Sequence, residues 1–439
     1  MYNKIFCILL TQILILPIGS VCGTSQNFNP VDFNVTTQFV DLSIIDMINQ
    51  VNKSMIFTYL ENFTNFGPKP VGTENCKKAG EYIFNEFKKM GLDVYFDYWK
   101  FISFKDRNIV ATLNGTDLNS DTVFIICAHY DTVKKSPGAN DDGSGIAAML
   151  TIAKIMSQYS FNHTVRFIAL SGHEVGTYGS FAYVKKAYAR NENIACVLNL
   201  DMIGNTTDGK IHIYKFGRTE WISQFTLEIL EKYNEYIDIA VETIYGIPWM
   251  DETSFLDYGY DGVLFYQGHG WLPEFHNHSP GDNISTINFS ILANVTNLIL
   301  AITAELANKP IDIQIRIVKP CEGYFHISDY FQFKLPGFNL YNIKMLSRNR
   351  GMTYIRGGFT TSVNISTETE EEIDVIYLTI DNIYWFVINN TKPPYEMKID
   401  RSFFMCRHIN GKHTLGVLVT TSSGKTAYDE MEIFIVSLI

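Results

Sequence analysis

Val123-Phe124-Ile125-Ile126-Cys127-Ala128-His129-Tyr130-Asp131 is an apolar run that ends in polar residues, and Pro137-Gly138-Ala139-Asn140-Asp141-Asp142-Gly143-Ser144-Gly145 then leads into the apolar stretch 146–156. A continuous apolar run bounded by turn residues reads as a strand buried on both faces, and the Gly-rich loop as the link to a helix. The unit repeats. Residues 165–171 precede a helical stretch at 180–189, residues 194–200 precede 222–233, and 262–267 adds a strand before a long closing helix at 287–306. Such alternation predicts a three-layer α/β/α domain with a mixed, largely parallel central sheet.

Upstream, Leu42, Ile45, Met47, Ile48, Val51, Met55 and Ile56 recur at helical spacing and predict one helix, and a second over 77–90 ends at Gly91. Asn308-Lys309-Pro310 breaks the chain, and beyond it alternating segments such as 312–318, 375–380 and 413–420 predict an all-β sandwich. At 439 residues two domains are expected, on the soft prior of about 150 residues each. We place them at 37–308 and 312–439, after a leader at 1–23.

A hydrophobic fraction of 46% and a charged fraction of 18% describe a globular chain, with no mid-chain window read as a membrane span. The formal charge of -11 repels nucleic acid and anionic membranes at long range, so neither is an expected partner. Lys4, the apolar run 5–18 and the small residues Gly19-Ser20 form a signal-peptide pattern, with an uncleaved anchor as the alternative. Export agrees with Asn-x-Ser/Thr triplets at Asn34, Asn52, Asn62, Asn114, Asn162, Asn205, Asn283, Asn288, Asn294, Asn364 and Asn389, which predict a secreted or surface glycoprotein. Cys127 and Cys196 fall in strand-like runs and read as buried thiols, whereas Cys321 and Cys406 could pair outside the cell.

The polar residues gather at the ends of the apolar runs. His129 and Asp131 follow the first, His173-Glu174 the second and Asp201 the third, and sites in open α/β sheets form beyond the carboxyl ends of the strands. Asp141 lies just before a helix, where an Asp is most often an N-cap. Singly, each of these residues has a bland explanation, but together they make a set of metal-ligating types.

Ala128-His129-Tyr130-Asp131, Gly138 to Gly145, Glu174-Val175-Gly176 with Gly179-Ser180, Leu200-Asp201-Met202 and His278-Ser279-Pro280-Gly281-Asp282 resemble, in order, the successive signatures of the co-catalytic di-zinc aminopeptidases, relatives of secreted bacterial leucine aminopeptidases and glutaminyl cyclases. The similarity covers about 40–305, and Phe66-Gly67-Pro68-Lys69-Pro70-Val71-Gly72 resembles the family's lead-in loop. It implies two Zn²⁺ per chain, one held by His129, Asp141 and Asp201 and the other by Asp141, Glu174 and His278, with Asp131 holding the His129 ring. It also implies an exopeptidase that cleaves N-terminal peptide bonds of peptides or proteins with a metal-bound hydroxide. The donor types suit zinc with an open position for water. Three carboxylates against two dications leave room for one hydroxide at neutrality.

One position departs from the family. The residue before the metal-binding Glu, where active relatives carry a Glu that moves the proton, is His173. Imidazole titrates near working pH and can serve as the base, although nearby dications weaken it as an acid. The readings open here are a His-based hydrolase, an extra metal ligand, or a metal-binding surface protein with little turnover; a glutaminyl-cyclase-like acyltransferase is the other enzyme. Asp251, in Asp251-Glu252-Thr253, matches the Asp of the family's Ser-Asp-His and is expected either to shape the substrate pocket or to start a surface helix. Residues 312–439, especially Lys392-Pro393-Pro394-Tyr395-Glu396 and Gly411-Lys412-His413-Thr414-Leu415, resemble the immunoglobulin-like domains appended to exported peptidases, which leaves an adhesion or cell-surface, spacer or substrate-presenting role open.

Overall fold

The computed structural model describes residues 41–309 apart from 119, 191, 207, 216–218, 246–249 and 269–275, and beyond them the strands and a few adjoining residues between 314 and 436. Residues 1–23, read as a leader, and Cys321 and Cys406 lie outside the described residues. Residues 41–309 run α1 (Leu42–Gln50), α2 (Lys53–Thr64), α3 (Glu74–Lys89), β1 (Asp93–Phe101), β2 (Phe104–Leu113), β3 (Thr122–His129), α4 (Gly143–Met156), β4 (Thr164–Leu170), α5 (Tyr178–Ala189), β5 (Asn193–Leu200), β6 (Lys210–Lys215), α6 (Glu220–Lys232), β7 (Ala240–Tyr245), α7 (Asp251–Leu256), β8 (Gly262–Tyr266) and α8 (Phe289–Asn308).

The eight strands form one sheet in the order β1-β2-β4-β3-β5-β8-β6-β7. The centre is parallel: β4 with β3, β3 with β5, β5 with β8. Antiparallel pairs join β1 to β2, β2 to β4 and β6 to β8, so the sheet is mixed around a parallel middle. Alternation along β3 shows the three layers. Phe124, Ile126 and Ala128 pack with the core of α1 to α4, α6 and α8, while Val123, Ile125 and Cys127 face a second cluster that includes Tyr183 of α5 and Phe255 of α7. Cys127 and Cys196 are buried thiols, as read from their strands.

Two local expectations change. The helix read over 42–56 is two, because Asn52 caps α2 by accepting from the Met55 N–H at 2.8 Å. And α8 is long and apolar enough to cross a membrane by length and composition, contrary to the sequence reading of that region. It is a core helix whose most apolar window is 67% buried.

Beyond α8 the described residues form a seven-stranded sheet in the order Phe331–Lys334, Tyr324–Ile327, Thr353–Arg356, Thr426–Val436, Gly411–Thr421, Ile373–Ile380, Ile383–Ile388, and a three-stranded sheet of Tyr395–Ile399, Phe359–Ser366 and Gln314–Lys319. Phe359, Val363 and Ile399 of the smaller sheet share one core with Ile376, Val417 and Ile433 of the larger. This is a two-sheet sandwich.

Candidate metal centre

The three central strands deliver their side chains to one place because they are parallel and end together. His129 closes β3, His173 and Glu174 follow β4 by a short turn, and Asp201 follows β5. Asp142, not Asp141, is the N-cap of α4: its carboxylate accepts from Gly145 N–H at 3.0 Å, His129 N–H at 3.1 Å and Met202 N–H at 3.2 Å. The cap therefore ties α4 to two strand ends and leaves Asp141 free to face the crevice. His278 comes from the segment after β8, in a left-handed conformation with φ 57°, and Met202 beside Asp201 and Thr177 near Glu174 share that region. Strained backbone of this kind gathers where a site dictates side-chain direction.

The sequence-predicted residues meet in two groups joined by one carboxylate. Asp141 Oδ1 is 3.0 Å from His129 Nε2, which is 3.8 Å from Asp201 Oδ1. Asp141 Oδ2 is 3.2 Å from His278 Nε2, which is 3.2 Å from Glu174 Oε2. Ligands sharing a tetrahedral zinc at bonds of about 2.0–2.2 Å stand ~3–4 Å apart, and these separations match. His129 is 1% exposed and Asp201 2%.

Asp131 holds the His129 ring by a different atom from the one expected. His129 Nδ1 lies 3.0 Å from the Asp131 backbone carbonyl and 3.8 Å from its carboxylate. That carboxylate instead accepts the backbone N–H groups of His173 and Glu174, each at 3.2 Å, and so fixes the turn that carries them. Burial pushes the Asp131 carboxyl up to about 7.

Asp251 does not start a surface helix. It is buried in the first turn of α7, with Oδ2 3.0 Å from His173 Nδ1, so it sits behind the imidazole and orients it. His173 Nε2 then faces the cradle, 3.8 Å from Asp201 Oδ2. Proximity alone groups His173 with His129 and Asp201 as metal donors. Orientation argues otherwise: the two imidazoles stack with centroids 3.9 Å apart and planes within 7°. An imidazole donates its lone pair in the ring plane, and two stacked, near-parallel planes share no point where one metal could lie in both.

The cradle's chemistry fits a cation. The buried Glu174 Oε1 has no hydrogen-bond partner, and carboxylate and imidazole lone pairs converge on the cradle. Without metal, protons fill that role. At His278, bonds to Asp141 and Glu174 raise the imidazole to about 10. At His129, burial opposes the charge but Asp141 and Asp201 hold the ring well above its ordinary value. At His173, burial and His129 pull down, yet Asp251 lifts it to about 9. Metal binding would displace the protons on His129 and His278.

Sequence reasoning missed the residues that hold the loops. Asp282, in the same block as His278, accepts from Asn140 N–H at 2.7 Å and Asp141 N–H at 3.2 Å. Glu252 accepts from Asn199 Nδ2 at 2.8 Å, and burial raises its carboxyl to about 8. The adjacent Asp141-Asp142 pair was the available signal for a cap beside a ligand. A separate group, Asp208, His212 and Glu242, lies near the sheet edge, where Lys210 Nζ is already 2.8 Å from Glu242.

Residues 108–303 match Peptidase family M28. The chain is 28% identical over 209 residues to aminopeptidase YwaD of Bacillus subtilis, covering 46% of this chain and 45% of that protein. It is 25% identical over 301 residues to leucine aminopeptidase 1 of Blastomyces gilchristii, covering 63% and 76%. It thus spans about half the length of the first of these relatives. The fold is shared with a zinc aminopeptidase from Bacillus subtilis, at a TM-score of 0.53 and 17% identity over 59% of this chain and 96% of that one.

Proposed function

We propose that this chain, which carries a Peptidase family M28 domain over residues 108–303, is a zinc-dependent aminopeptidase using two zinc ions, with His173 as its proton-transfer group. The observation that carries the reading is Asp141, whose two oxygens each face one histidine of the cradle, at 3.0 and 3.2 Å. His129 and Asp201 would complete one zinc position, Glu174 and His278 the other. Zinc held there supplies Lewis acidity toward a carbonyl and lowers the pKa of water.

The chain's own residues do the rest. Asp251 fixes the His173 tautomer with the proton on Nδ1, leaving Nε2 to take a proton from water on the cradle side and return it to the leaving amine. The stacked ring supports a base over an extra ligand. Asp131 keeps His173 and Glu174 in register through their backbone. The relatives named aminopeptidases support an N-terminal exopeptidase, and the leader-like N-terminus with its Asn-x-Ser/Thr triplets supports export.

A peptide library incubated with the zinc-loaded protein should lose residues stepwise from the N-terminus; internal cuts would count against an exopeptidase. His173→Gln should lower kcat by ~10²–10⁴-fold with zinc content unchanged. Lost zinc would make His173 a ligand instead. If wild type releases nothing while His173→Glu does, the active-hydrolase reading is lost.

A further inference from the structure

Lys69 is a lysine with 0% exposure, in the segment between α2 and α3. Burying an ammonium is costly unless its donors and charge are matched. Here they are. Nζ donates to the Gly67 carbonyl at 3.0 Å and the Pro137 carbonyl at 2.6 Å, and lies 4.3 Å from the centre of the Phe63 ring. Burial pulls the amine down to about 7, with Asp282, Asp131 and Asp141 among the groups that oppose it.

The backbone of Lys69 is pinned as well. Its N–H donates to Thr132 Oγ1 at 2.8 Å, and its carbonyl accepts the Thr132 N–H at 3.1 Å. Pro137 opens the loop that carries Asp141. That loop is gripped on one side by Lys69 and on the other by the Asp282 carboxylate, which also accepts from Ser136 Oγ at 3.1 Å. Gly138 leaves no slack, since φ is +68° and a Cβ there would lie 2.4 Å from Thr132 Cγ2.

We propose that Lys69 is a positioning residue for the shared carboxylate, a hydrogen-bonded strut that holds the 136–141 loop so that Asp141 offers one oxygen to each half before metal arrives. The inference rests on the reading of Asp141 as a bridging ligand. A strut of this kind sets the affinity of both halves without touching either metal.

The test begins with hydrogen exchange on zinc-free wild type. Asn140 and Asp141 amides should be protected; free exchange there would overturn the strut. In Lys69→Met, which keeps the apolar stem but leaves both carbonyls unpaired, those amides should exchange faster while the central strands do not change. Zinc affinity by chelator competition should fall ~10–100-fold, the usual effect of losing a group that supports a ligand. A merely structural lysine would lower the melting temperatures of the zinc-free and zinc-loaded forms equally and leave affinity unmoved, and that result would also overturn the proposal. Thr132→Val, which retains the lysine but removes the hydroxyl that accepts the Lys69 N–H, should show a smaller loss of affinity and decides the matter if Lys69→Met does not fold. Wild type that binds no zinc yet protects these amides would sink the ligand reading and leave the loop brace intact.

Discussion

The two halves of the cradle are built from different materials. His129 and Asp201 end neighbouring parallel strands and are almost wholly buried, and behind them Cys127 donates to Asn199 at 3.4 Å and Asn199 to Glu252 at 2.8 Å. Glu174 and His278 sit in loops, and the His278 side chain is 53% exposed. A ligand at a strand end inherits the rigidity of the sheet, whereas a loop ligand has only its backbone bonds. If both halves hold metal, the buried one should hold it more tightly and the one carrying the exposed His278 should be the one open to solvent, with Asp141 belonging to both.

Asp141→Asn should have the largest effect on the two halves. It removes one negative charge shared by both halves, so the distinction between them should vanish. Zinc affinity should fall by at least ~10²-fold in each, with activity falling alongside. Metal analysis after gel filtration checks it. If one zinc per chain survives, Asp141 serves a single half and the bridging arrangement is wrong.

The same contrast explains what the sequence made legible. The parallel strands β3, β4 and β5 are largely buried on both faces and therefore read as mostly apolar runs, and the polar residues at their ends followed directly. The hairpin β1–β2 went unread, because Asp93, Asp97, Lys100, Lys105 and Asp106 break its apolar pattern and much of it is solvated. The ligand positions came from local blocks. The supports did not: Lys69 meets Pro137 and Asp282 meets Asn140 only after distant loops fold together, and whether Asp131 holds His129 by carbonyl or carboxylate depends on backbone direction. The stack of His173 on His129 was equally invisible, and it is what weighs base against ligand.

Chelation sharpens the difference between the halves. Zinc-loaded wild type mixed with excess chelator should release metal in two phases, the slower belonging to the buried half and separated from the faster by ~10-fold or more. His278→Ala should abolish the fast phase and leave one slowly released zinc per chain. His129→Ala should remove the slow one. A single phase in wild type would mean that the halves empty together, and the difference in burial would then have no functional weight.

The smallest effect concerns the zinc-free protein. Bonds to Asp141 and Glu174 raise His278 to about 10 in the fold, against about 6.5 in the unfolded chain. A raised imidazole stabilises the fold fully below the unfolded value and loses that contribution as pH rises through the folded one. Zinc-free wild type should therefore lose stability relative to His278→Gln between about pH 6.5 and 10. Because the side chain is 53% exposed, solvent screening limits the difference to ~1 kcal/mol or less. Denaturant melts at pH 6 and pH 9 measure it. Zinc should erase the trend, since the metal replaces the proton at Nε2, and a gap that persisted in the loaded protein would place His278 outside the metal's reach.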